Sequence, residues 1–102
     1  MRALQIDPVD NVAVAVQAVP PGSPVDIRSD LTIAAREAIP VGHKLALRDI
    51  AAGDMVIKYG VPIGRASRDI ARGSHVHTQN VEDITTQLCL EYAATFQREV
   101  KA

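Results

Sequence analysis

The sequence predicts a mainly β domain closed by one C-terminal α-helix, and three observations carry that prediction. Valine and isoleucine outnumber leucine by 21 to 6, and β-branched side chains suit pleated, half-buried strands. Four glycines recur with an apolar residue three positions before and three positions after each of them. From residue 81 onward the apolar spacing becomes three and four, the period of a helix.

Taken in order, Asn11–Val16 reads as a strand, with Val12, Val14 and Val16 on one face and small alanines on the other. Pro20-Pro21-Gly22 stops it, since proline cannot donate to a ladder. Val25-Asp26-Ile27 and Leu31-Thr32-Ile33 form a pair around Arg28-Ser29-Asp30. His43–Leu47 alternates again. Met55–Tyr59 and Val61–Ala66 flank Gly60, and Ser74–Thr78 is the last strand. The glycine pattern occurs at Val19/Gly22/Val25, Ile39/Gly42/Leu45, Ile50/Gly53/Val56 and Ile70/Gly73/Val76. Spacings of 20, 11 and 20 between the glycines imply two similar halves, each chain reversal using φ > 0. Asp49-Ile50 and Asp69-Ile70 recur at matching places. Residues 1–80 thus form the β domain and residues 81–102 a helical extension. There Ile84, Leu88, Tyr92 and Phe96 or Thr95 mark one stripe, Asp83 is placed to cap and Arg98 and Lys101 suit the C-terminal end.

Composition removes several functions. Eleven basic and twelve acidic residues give a net charge of −1, without the basic excess that nucleic acid or an anionic membrane requires. Cys89 is the single cysteine; it has no disulfide partner and reads as a small core residue. A reducing compartment, the cytoplasm, follows as the expectation. The N-terminus does not read as a signal peptide, and no stretch approaches the ~18 apolar residues of a membrane span.

Three polar sets remain as candidates for chemistry. His43 and Lys44, straight after a turn glycine, can bind a carboxylate or assist proton transfer, or simply face solvent at a strand start. Lys58 and Tyr59, beside Gly60, Pro62 and Gly64, can bind an anion and give a hydrogen bond, or belong to a hairpin that serves only the fold. Adjacent strand residues point to opposite faces, so Lys58 is expected at an open site and Tyr59 packed. His75 and His77 share one strand face and can chelate a divalent metal, given one or two further ligands, or stand as an exposed pair.

Gly42-His43-Lys44-Leu45-Ala46-Leu47-Arg48-Asp49-Ile50, then Val56–Gly64, then His75-Val76-His77, with Asp10–Ala15 ahead of them, resemble the SAF-type amino-terminal region of the altronate and galactarate dehydratase family. The same unit resembles the separate small subunit of sulfolactate sulfo-lyase. The resemblance covers about residues 4–80 and implies a β-clip fold. It implies a sugar-acid hydro-lyase whose small unit aids substrate binding beside a larger catalytic chain, with His43, Lys44, Lys58 and Tyr59 as substrate-binding residues and none of them catalytic. The expected form is a stand-alone small subunit, inactive alone and open to homo-oligomer formation. A non-catalytic module that binds a sugar acid or a partner protein is the alternative. The resemblance also implies a divalent metal, usually iron, held mainly by the large chain. The third motif of the family often reads His-x-His-x-His-Asn, whereas Gln79, a poor ligand, follows here. No tight metal binding is therefore expected of this chain alone.

Overall fold

The computed structural model describes residues 1–83. In chain order the strands are β1 (Ala3–Leu4), β2 (Val12–Ala15), β3 (Pro24–Arg28), β4 (Leu31–Ala34), β5 (Lys44–Ala46), β6 (Met55–Lys58), β7 (Val61–Ala66), β8 (His75–Val76) and β9 (Val81–Asp83). They form a four-stranded sheet in the order β1-β2-β5-β8, the hairpin β3-β4, and a three-stranded sheet in the order β6-β7-β9. All neighbouring strands within these sheets run antiparallel.

The glycine repeat organises this arrangement. Gly22, Gly42, Gly53 and Gly73 all take φ between 81° and 89°. Each glycine N–H donates to an alanine carbonyl, those of Ala35, Ala15, Ala66 and Ala46 respectively. The eight flanking apolar residues are all at most 3% exposed. Val19 bridges Ile39, and Ile50 bridges Ile70, through paired backbone hydrogen bonds. The two carboxylates noted in the sequence act reciprocally: Asp49 Oδ1 accepts from the Arg72 N–H and Asp69 Oδ1 from the Ala52 N–H, both at 2.8 Å.

Two buried clusters result. One gathers Ala13, Ala15, Val19, Val25, Ile39 and Leu45, among others. The second gathers Val12, Ala46, Ile50, Val56, Ile70 and Val76 with Ala66. Strand β2 belongs to both, so the expectation of one apolar and one small face needs correction. Its alanine face is as buried as Val12, while Val16 is 45% exposed.

The β region also runs past residue 80. Val81–Asp83 pair with β7 as Ala66↔Val81, Arg65↔Glu82 and Gly64↔Asp83. Asp83 is therefore a ladder residue, in the place where the sequence suggested a cap. A Cβ on Gly64 would collide with Val81 Cγ1 and the Glu82 carbonyl oxygen, so β9 lies against β7 only because residue 64 has no side chain. The helix expected from the later spacing falls, from residue 84 on, outside the described residues, as does Cys89.

Candidate functional site

Strands β5 and β8 pair with Lys44 opposite Val76 and Leu45 opposite His75. One step further along the same ladder, His43 meets His77, and their rings stack with centroids 3.8 Å apart. His75 joins them: its ring lies 5.0 Å from His43 and 5.8 Å from His77, all three nearly parallel. His43 Nδ1 and His75 Nε2 are 2.8 Å apart. One ring nitrogen from each of the three residues lies within 4.8 Å of the others. All three side chains are half-buried. In the sequence His75 pairs with His77, and the next position downstream that could supply a third ligand holds Gln79. The third imidazole comes instead from His43, across the ladder and 32 residues earlier.

Asn80 shapes the turn after β8. It is buried, its Nδ2 donates to the His75 carbonyl at 2.8 Å, and its Oδ1 accepts from the His77 N–H at 3.0 Å. Gln79 Nε2 stands 3.0 Å from His75 Nδ1, on the side of the ring away from His43. Burial first, then the neighbouring His43, holds the His75 imidazole below the ordinary histidine range, against an opposing pull from Glu37. Burial, then His43 and Lys44, does the same for His77. Both rings therefore favour the neutral form, which is the form that ligates a metal.

Lys44 is half-buried beside this cluster. Burial, then repulsion from the Lys58 ammonium, holds it below the ordinary lysine range. Lys44, Ile63, His77, Thr78 and Val81 line a cavity of about 250 Å³. Three of the expected site residues, His43, His75 and His77, thus form one cluster; Lys44 shares a cavity with His77, and Lys58 is near enough for its charge to act on Lys44.

Tyr59 departs from expectation. Strand β6 ends at Lys58, and Tyr59 and Gly60 form a two-residue hairpin turn with φ of 57° and 75°. Tyr59 therefore does not alternate with Lys58. It is 55% exposed, and Lys58 Nζ sits 4.7 Å from its ring centroid. The turn is held by Asp10, which is buried and accepts from the N–H groups of Gly60 at 2.8 Å and of Tyr59 and Asp7 at 3.0 Å. Burial alone would raise the Asp10 carboxyl, but these N–H donors outweigh it and hold it below the usual carboxylate range. Asn11 completes the clasp: its Oδ1 accepts from the Ile57 N–H and its Nδ2 donates to the Met55 carbonyl. Sequence reasoning assigned no role to Asp10, Asn11 or Asn80. The available signal was a polar pair directly ahead of a buried Val-Ala-Val run.

A family model described as the altronate/galactarate dehydratase SAF domain matches residues 1–84. The chain is 48% identical to altronate dehydratase of Escherichia coli over 80 residues, which make up 78% of this chain and 16% of that enzyme. It is 55% identical over 47 residues to (2R)-sulfolactate sulfo-lyase subunit alpha of Chromohalobacter salexigens, covering 46% of this chain and 50% of that subunit. The corresponding subunit of Paracoccus pantotrophus is 50% identical over 52 residues, 51% of this chain and 78% of that subunit. The match thus spans a small fraction of the dehydratase but half or more of each sulfo-lyase subunit. By sequence, and through all the strands described above, the chain belongs to the altronate/galactarate dehydratase SAF domain family.

Proposed function

We propose that this chain is the small component of a hydro-lyase acting on a sugar acid, inactive alone and working beside a larger catalytic chain. The observation that carries the reading is the pattern of coverage. The 80 residues matched to altronate dehydratase are 16% of that enzyme, whereas the 47 matched to the alpha subunit of a sulfo-lyase are 50% of that protein. Elimination from a hydroxy acid needs a base at the carbon beside the carboxylate and assistance to the departing oxygen. In this reading the large chain provides that machinery, and this chain provides a cationic rim that holds the substrate. Lys44 opens onto a cavity with an imidazole and a hydroxyl in its wall, His77 and Thr78, and such a lining suits the carboxylate end of a polyhydroxy acid. Lys58, whose charge acts on Lys44, adds a second cation, with the exposed Tyr59 ring beside its ammonium. A lone cysteine and metabolic relatives favour the cytoplasm. Among the described residues no helix is long and apolar enough to cross a membrane.

The test is reconstitution. The chain is mixed with a large dehydratase chain, and water loss from altronate, galactarate and related acids is followed. Activity is expected only in the mixture, and Lys58→Ala is expected to lower it on the order of tenfold, the loss of one charged contact. A mixture no more active than the large chain alone would refute the reading.

A further inference from the structure

We infer that His43, His75 and His77 form a three-imidazole site for one divalent transition-metal ion, with Gln79 fixing the His75 ring. This departs from the expectation that the large chain holds the metal. The inference stands on the geometry of this chain and does not depend on the lyase reading.

Two imidazoles hold a divalent ion weakly, and a third changes the class of site. Three protein nitrogens with a remaining open position is a common arrangement for a reactive metal centre. Nitrogens bound to one tetrahedral ion at ~2.1 Å stand about 3.4 Å apart. Here the candidate donors span 2.8 Å to at most 4.8 Å, so modest ring rotations converge them. Imidazole donors select zinc, iron, cobalt or nickel over magnesium or calcium.

The surroundings favour the same reading over a merely structural stack. Among the described residues no carboxylate hydrogen-bonds any of the three rings, so no acidic side chain occupies their ring nitrogens. Gln79, which breaks the histidine run in the sequence, is a poor ligand but touches the ring in a useful place. Its amide lies 3.0 Å from Nδ1 of His75 while Nε2 faces His43. As placed, the Gln79 Nε2 is a donor to Nδ1 and also reaches the His75 carbonyl at 3.4 Å, which orients the ring. Ligation through His75 Nε2 requires the amide turned over, so that its oxygen accepts from Nδ1–H as a neighbouring acceptor commonly does behind a metal-bound histidine. Asn80 fixes the backbone of both His75 and His77, so two of the ligands are pre-positioned. Lys44 beside the cluster opposes a bare cation but welcomes an anion bound to it. The open coordination position therefore suits a hydroxycarboxylate or a ligand from a partner chain.

The experiment uses the untagged full chain, titrated with Zn²⁺ by calorimetry and with Co²⁺ by visible absorption. One ion per chain is expected, with the d–d bands of nitrogen-ligated cobalt. His43→Ala and His77→Ala should each weaken binding at least ~100-fold, and Gln79→Ala about 10- to 100-fold. As a fold-independent check, Zn²⁺ should raise the melting temperature of the wild-type chain and leave that of a folded His43→Gln variant unchanged. Absence of saturable binding to the wild-type chain, or binding unaltered by loss of His43, would overturn the site. Because the readouts need no large chain, they separate this inference from the lyase assay.

Discussion

Asp10 shows how a single buried carboxylate can set a loop. It grips the N–H groups of Tyr59 and Gly60, residues with positive φ, one of which is not glycine. Tyrosine in that conformation carries strain, and the carboxylate offsets it. We expect Asp10→Ala to destabilise the domain by about 2–4 kcal/mol, read from urea unfolding. The sign of the pH effect follows from the lowered carboxyl. The folded state favours the carboxylate, so its contribution is complete above the ordinary aspartate value near 4 and is lost as pH falls through the lower folded value. Asp10→Asn should flatten that acid limb; an unchanged limb would mean another group titrates. Lys58→Ala, by contrast, should shift stability by no more than about 0.5 kcal/mol, because the side chain is half-exposed and touches mainly the Tyr59 ring. At this scale the sequence showed the right residue types. Lys58 and Tyr59 were misplaced relative to one another because strand alternation was carried one residue too far. The two-residue turn that interrupts it was signalled by Gly60 alone.

The elements were readable where a hairpin or a glycine reversal defined them. β3-β4 and β6-β7 fall where alternation and turn residues predict. β9 was not readable, because a three-residue strand is too short to show a period, and Glu82 and Asp83 carry the charge expected of a helix start. Its evidence lies in β7 instead, at Gly64. Gly64→Ala should push β9 off the sheet and cost about 2 kcal/mol or more, seen as faster amide exchange at Val81–Asp83; exchange unchanged from wild type would place the burden elsewhere. The imidazole cluster divides the same way. His75 and His77 were legible as a same-face pair. His43 stands apart from them in the sequence, because only the pairing of β5 with β8 brings it across, and that pairing joins residues far apart in the chain.

At the scale of the molecule, the repeat predicted two similar halves, and the structure carries them out residue by residue. Val19, Gly22, Val25, Ile39, Gly42 and Leu45 are matched 31 positions later by Ile50, Gly53, Val56, Ile70, Gly73 and Val76. Ile39 and Ile70 occupy equivalent places in different clusters. Each isoleucine-to-alanine change should cost about 2–5 kcal/mol. Because β2 contributes to both clusters, either variant should still unfold in one transition, followed by circular dichroism and chemical denaturation. Two separable transitions would show the halves to be independent. A two-copy fold offers every structural position twice, so the places where the copies disagree are informative. At one end of the β5-β8 ladder stand His43 and His77; their counterparts at the other end are Ser74 and Ala46, the latter fully buried. The two ends therefore differ in kind: one pairs two half-buried imidazoles, the other a half-buried serine with a sealed alanine. Placing a histidine at Ser74 would not recreate the cluster, because the residue facing it is sealed alanine. The imidazole cluster thus stands at one end of the β5-β8 ladder in an otherwise duplicated frame.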